Sequence, residues 1–145
     1  DNGKTKPHLW KSEISLLVQQ SVLYVCGGEV SNETLSQAKY HRKTATFREP
    51  FYLRQYGGRN FLDQIVVGFS PSNDLFNRTA SLEMSIKDLV EDDLRTKIVE
   101  NLLKNGFTPG ITLDTGFTVY SDGRTEIEVF VYVKDDQASV SIRKS

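Results

Sequence analysis

Residues 111–134 read ITLDTGFTVYSDGRTEIEVFVYVK. Two alternating runs, Ile111–Tyr120 and Thr125–Lys134, flank Ser121-Asp122-Gly123-Arg124. Asp-Gly between such runs is a strong hairpin signal, because a tight two-residue turn needs residues that accept positive φ. A period of two does not suit a helix, whose faces recur about every 3.6 residues. The C-terminal third is therefore expected to be antiparallel sheet, with Ala138–Ile142 either an edge strand or a frayed end.

Working back along the chain, Asp88–Lys104 predicts a helix. Leu94, Ile98 and Leu102 recur every fourth residue and Val90, Val99 and Leu103 widen the stripe. Glu91, Asp92 and Asp93 suit its positive N-terminal end, Lys104 its negative one, and Asn105-Gly106 a left-handed cap. Before it, Ala80–Ile86 alternates like a half-buried strand. Phe61–Phe69, Phe51–Tyr56 and Thr44–Arg48 predict three more strands, with Gly57-Gly58 as a hairpin turn and Ser70–Asp74 as a loop. Leu75 and Phe76, apolar residues in that polar stretch, are expected to fold back onto the core. Asn32 has the chemistry of an N-cap for a short helix to about Tyr40. Between Trp10 and Cys26 the pattern is mixed. Trp10, Ile14 and Leu17 fit a helical stripe, whereas Ser21–Cys26 is β-rich and stops at Gly27-Gly28, which predicts a short start running into a buried strand.

The expected order is β-α-β-β-β-α-β-β: an α+β fold with a single, mostly antiparallel sheet packed by two helices. Residues 1–9 form a polar arm and 10–145 one domain, a length sufficient to bury a core. No internal repeat is visible in the residues. No apolar run approaches the roughly 18 residues that cross a bilayer, since ISLLVQQSVLYVC is broken by Gln19, Gln20 and Ser21. The chain starts at Asp1, as expected of a mature secreted or periplasmic product or of a domain excised from a longer protein. Cys26 is the sole cysteine, so no internal disulfide forms. Asn32-Glu33-Thr34 and Asn77-Arg78-Thr79 are glycosylation triplets, relevant only in a eukaryotic secretory pathway.

Charge is distributed unevenly. Lys39–Phe61 holds six Lys or Arg, six aromatics, His41 and one acid, Glu49, in a chain whose net charge is −1. If residues 51–56 are extended, Tyr52, Arg54 and Tyr56 share one face and Phe51 and Leu53 the other. Placing the first set on the wet face makes a cation–aromatic stripe, with Arg42, Arg48 and Arg59 nearby. Tyr and Arg anchor protein interfaces, so the expected contact surface for a protein partner is Arg42, Arg48, Tyr52, Arg54, Tyr56 and Arg59. The same set suits single-stranded nucleic acid, with guanidinium groups on phosphates and rings stacking bases. A small ligand between sheet and helices is a third reading.

Catalytic and metal signatures are weaker. Leu113-Asp114-Thr115-Gly116 resembles the catalytic tetrapeptide of aspartic proteases. In that family the aspartate comes early in a long β-rich chain; here only 31 residues follow Asp114, so a turn explains the motif. His8 and His41 lack metal-ligand spacing. Cys26 closes an apolar run and is expected to be a buried structural thiol. No cofactor, metal or catalytic residue is assigned.

Overall fold

The computed structural model describes residues 9–45, 48–56, 63–71 and 77–145. Among the described residues, three helices, α1 (Leu9–Val25), α2 (Asn32–Gln37) and α3 (Glu91–Lys104), accompany eight strands. The strands are β1 (His41–Ala45), β2 (Arg48–Tyr56), β3 (Asp63–Ser70), β4 (Thr79–Ser85), β5 (Thr108–Thr112), β6 (Thr118–Ser121), β7 (Glu126–Lys134) and β8 (Gln137–Lys144). All pair antiparallel in one sheet of order β1-β2-β3-β4-β8-β7-β6-β5. The fold is α+β with a single sheet, and its two long helices pack on one face. Among the described residues no helix is long and apolar enough to cross a membrane.

The sheet order reads the same from either edge. A helix followed by four meandering strands occurs twice, and the last strands of the two halves, β4 and β8, pair with Leu82 opposite Val140 at mid-register. This duplication lies in the topology while the residues show no repeat. It also corrects the edge-strand or frayed-end reading of Ala138–Ile142. β8 is central, with Ala138, Val140 and Ile142 buried, because the meander β5 to β8 returns its last strand to β4.

Helix α1 corrects the strand expected at Ser21–Cys26. Trp10, Ile14, Leu17, Val18, Val22 and Val25 are all buried, and with Glu13, Gln20 and Ser21, also buried, the covered face takes up slightly more than half of the circumference, because α1 packs on α3 and on β3, β4 and β8. A helix buried on most sides is rich in the branched residues that also favour strands, which is why Ser21–Cys26 looks like sheet. Cys26 lies just past the helix end and is exposed rather than buried. Helix α3 starts three residues later than expected, because Asp88 adopts φ of 60°. Its core stripe is Leu94, Ile98 and Leu102, while Val90 and Leu103 are exposed.

Ile111–Tyr120 is a hairpin of two strands rather than one strand. Leu113 N–H donates to the Phe117 carbonyl (2.7 Å) and Gly116 N–H to that of Leu113 (2.9 Å). Leu113-Asp114-Thr115-Gly116 is thus a turn. Gly116 has φ of 95°, and a Cβ there would lie 2.7 Å from Phe130 Cε1. Gly116→Ala is expected to lower unfolding free energy by about 1–2 kcal/mol, from positive φ and displacement of the Phe130 ring. Urea unfolding checks this; an unchanged midpoint would mean the turn relaxes freely. At Asp122-Gly123 the carboxylate accepts from the N–H groups of Arg124 (2.9 Å) and Thr125 (2.7 Å). Those bonds hold its carboxyl below the usual carboxylate range. Asp135 and Asp136, both at positive φ, make the two-residue turn between β7 and β8.

Residues 1–8, Gly57-Gly58, Arg59, Leu75 and Phe76 lie outside the described residues, as do the side chains of Arg48 and Tyr56.

Candidate functional site

The sheet has one covered and one open face, and register decides which side chains reach which. Tyr52 pairs with Val67 and Arg54 with Ile65, and Val67 and Ile65 are fully buried. Directly opposed residues of an antiparallel pair share a face, so Tyr52 and Arg54 point toward the helices. This corrects the wet-face assignment of Tyr52 and Arg54, and Phe51 and Leu53 take the open side. Tyr52 is 7% exposed. Arg54 Nη1 lies 2.9 Å from Glu13 Oε2 on α1 and 3.0 Å from the Ala38 carbonyl after α2. It fastens β2 to two helices rather than meeting solvent.

Arg42 is the expected contact residue with a described, exposed side chain. It sits on β1, whose consecutive residues His41, Arg42, Lys43 and Thr44 are all exposed, with Lys39 exposed just before them. β1 is an outermost strand. Its counterpart at the other edge, β5, is chemically different. Pro109 there lacks a backbone donor, the pairing to β6 is irregular, and Ile111 is 69% exposed. One edge is cationic and the other uncharged.

Beside β1, a cleft of about 350 Å³ opens between the α1–β1 connection and the ends of β2 and β3. In the second half residues 105–107 join α3 directly to β5, whereas in the first half residues 26–40, including α2, intervene. That longer connection supplies Glu29, Val30 and Asn32 to the cleft. It is held by the buried Gln20, whose Oε1 accepts from Ser31 N–H (2.8 Å). Ser31, rather than the expected Asn32, caps α2, its hydroxyl accepting from Thr34 N–H (3.1 Å). Asn32 Oδ1 is thereby free to accept the Tyr52 hydroxyl.

Three rings stand at the cleft, whose lining is otherwise mostly polar. Phe69 stands edge-on between Tyr24 (centroids 5.3 Å apart) and Tyr52 (5.9 Å). Arg78 donates to the carbonyls of Tyr24 (3.1 Å) and Gly28 (2.8 Å), and its guanidinium lies 4.6 Å from the Tyr24 centroid. Burial pushes the Tyr24 phenol up; Arg78 opposes this, while Glu49 and Glu29 add to it.

No family model, curated protein or solved structure matches this chain.

The remaining features converge less. The helix-free face carries a shallow depression of about 680 Å³ lined by Gln64, Glu83, Tyr132, Lys134, Gln137 and Ser139. The Glu83 carboxylate there already accepts the Ser139 hydroxyl (2.6 Å), and the small polar residues read as a solvated sheet face. Among the described residues no group of three or more His, Cys, Asp or Glu could hold a metal. Although Cys26 is exposed as a residue, partial desolvation of its thiol pushes it up, with Asp122 adding and Lys144 opposing, which disfavours the thiolate.

Sequence reading missed Tyr24, Phe69, Glu29 and Glu49, because α1, the connection after it, β2 and β3 bring them together and no local pattern marks them. Glu13 did leave a signal: one acid within the stripe of Trp10, Ile14 and Leu17 calls for a buried cation.

Proposed function

We propose that this chain is a protein-interaction domain that binds an acidic, extended segment of a partner along β1. The observation that carries the reading is the outermost strand with His41, Arg42, Lys43 and Thr44 exposed in succession. An edge strand offers unpaired N–H and C=O groups, and a guest strand satisfies them. Cations on an edge ordinarily prevent self-pairing. The same charges select the guest, repelling a second copy of this edge and attracting Asp and Glu on an incoming strand. Arg42 and Lys43 side chains alternate across the strand, so both faces of the guest meet positive charge.

A protein guest is favoured over single-stranded nucleic acid by the inward turn of Tyr52. Stacking of bases needs an exposed ring, and the Tyr52 ring is buried against Phe69.

The test uses a set of ten-residue peptides of alternating Asp or Glu and Val, with Lys-containing peptides of the same pattern as controls. Acidic peptides are expected to saturate with NMR shifts at β1 backbone amides. Arg42→Glu with Lys43→Glu is expected to weaken them at least tenfold, about the cost of placing like charges together, with the fold unchanged by circular dichroism. Equal binding of Lys peptides, or shifts confined to the helix-free face, would overturn the proposal. Tighter binding of an oligonucleotide, falling log-linearly with salt, would favour the nucleic-acid reading instead.

A further inference from the structure

Arg42 and Lys43 are neighbours on β1, yet their side chains stand in unlike surroundings. Directly opposed residues of an antiparallel pair share a face. Arg42 pairs with Tyr52, so its side chain lies on the helix side of the sheet. His41 pairs with Leu53 and Lys43 with Phe51, so theirs lie on the helix-free side.

A step in the pairing sorts the acids between these sides. From Lys43↔Phe51 to Ala45↔Arg48, β1 advances from 43 to 45 while β2 runs from 51 back to 48. β2 therefore holds one extra residue, a bulge at Glu49-Pro50 opposite Thr44. In a regular strand Glu49 would share the helix-free face with Phe51 and Leu53, close to Lys43. The bulge instead leaves Glu49 and Pro50 lining the cleft together, with Arg42, Tyr52 and Glu29. The Tyr24 phenol, pushed up first by burial, feels both carboxylates and, in the opposite sense, Arg78. The Arg78 guanidinium lies on the Tyr24 ring. On the helix side Glu29 and Glu49 thus stand against Arg42 and Arg78, and these four charges cancel. On the helix-free side Lys43 keeps its charge beside the uncharged Phe51 and Leu53, with the His41 ring next in the row.

Resting on strand addition at β1, we propose that Lys43 rather than Arg42 selects acidic guests, and that the guest strand carries two unlike rows. Asp or Glu occupies the row on the helix-free side, opposite His41 and Lys43; uncharged polar residues occupy the row on the helix side, opposite Arg42. Side chains of a strand point alternately to the two faces, so the matching segment alternates acidic and neutral polar residues and does not need acids throughout. A carboxylate opposite Arg42 is attracted by that guanidinium and repelled by Glu29 and Glu49, so it adds little. Opposite Lys43 it meets a cation flanked by the half-buried Phe51 and Leu53, where the attraction is screened less than in open solvent.

The test titrates the intact chain with a ten-residue peptide of alternating Glu and Thr, followed by NMR. Lys43→Glu is expected to weaken binding at least tenfold, the scale of placing like charges together. Arg42→Glu should weaken it by no more than about twofold, within the range of an exposed pair. Both positions are exposed, so circular dichroism should show an unchanged fold in each variant. Glu side chains of the peptide should give nuclear Overhauser effects to Phe51 and Leu53, and its Thr side chains should not. A peptide of alternating Lys and Thr should bind the Lys43→Glu variant and not the unchanged chain, an exchange of charge that a merely structural role of Lys43 would not produce. Equal losses in the two variants, a larger loss for Arg42→Glu, or contacts from Thr to Phe51 and Leu53 would each overturn the proposal while leaving strand addition standing. Absence of any shift at the β1 backbone amides with the acidic peptide would overturn both.

Discussion

Arg54→Ala is expected to lower the unfolding free energy by about 3–5 kcal/mol, the cost of leaving one partner of a buried ion pair alone. Domains of this size are held by only about 5–15 kcal/mol, so the variant should unfold at markedly lower urea and be partly unfolded on mild warming. Burial sets the scale: the Arg54 and Glu13 side chains are 19% and 12% exposed. An exposed pair would be worth about 0–1 kcal/mol. Removing Arg54 leaves the Glu13 carboxylate on the core side of α1, where Oε1 has no hydrogen-bond partner among the described residues. The Ala38 carbonyl loses its donor as well. Glu13→Gln, which keeps the shape and removes the charge, should cost less than Arg54→Ala. Replacing both residues by Met should recover much of the loss, because a buried pair is often matched by apolar side chains of similar volume. Urea titrations of the four proteins decide the matter; a loss below about 1 kcal/mol for Arg54→Ala would place this pair with surface pairs.

The same pair shows what the sequence can and cannot convey. Alternation correctly separates Tyr52 and Arg54 from Phe51 and Leu53, since it is local geometry. Which set is wet depends on β3, where Ile65 and Val67 lie opposite, and on helices that choose one side. Tyr52 and Arg54 have polar tips but long bodies, and they cross apolar ground to reach Asn32 and Glu13. Residue type alone therefore points them outward. Helix α3 was legible because its buried stripe, Leu94, Ile98 and Leu102, is narrow and flanked by charged residues. Helix α1 was half legible, because Ser12, Ser15 and Gln19 mark its exposed side in the first part, whereas in Ser21–Val25 that side is held by Leu23 among branched and aromatic residues.

Turn chemistry carried much of the remainder. Asp122-Gly123 identifies its hairpin through the φ requirement of the glycine and the carboxylate that caps it. Asp114-Thr115-Gly116 signals a turn equally well, but the short run Ile111–Leu113 leaves β5 hard to separate from β6. The central position of β8 is not encoded locally at all. Ala138-Ser139-Val140-Ser141-Ile142 alternates as any half-buried strand does, and only the antiparallel return to β4 places it in the middle. The binding surface suffered likewise: Arg42 is legible as an exposed cation, while the cleft is assembled by residues 24, 29, 49, 52 and 69, which no window contains together.

Leu82→Ala is expected to cost about 3–5 kcal/mol, within the range for deleting a fully buried leucine side chain, and to leave unfolding as one transition. Leu82 is completely buried and lies opposite Val140, at the middle of the β4–β8 seam that joins the two halves. Two copies of one topology invite the expectation of two folding units, in which a weakened seam would let one half melt first. The packing of α1 argues against that. By sequence α1 belongs to the first half, yet it lies over β8 of the second as well as over β3 and β4, and it also packs on α3. Its Lys11 additionally pairs with Asp93 of α3 at 3.3 Å. Neither half can bury its own sheet face without the helix that the other half also uses, so a cavity at Leu82 destabilises both at once. Urea unfolding followed by Trp10 fluorescence, which reports α1, and by far-ultraviolet circular dichroism, which reports the whole sheet, should give coincident transitions at a lower midpoint. Separation of the two curves would show that the halves hold independently and that the seam is an interface between domains rather than the centre of one core.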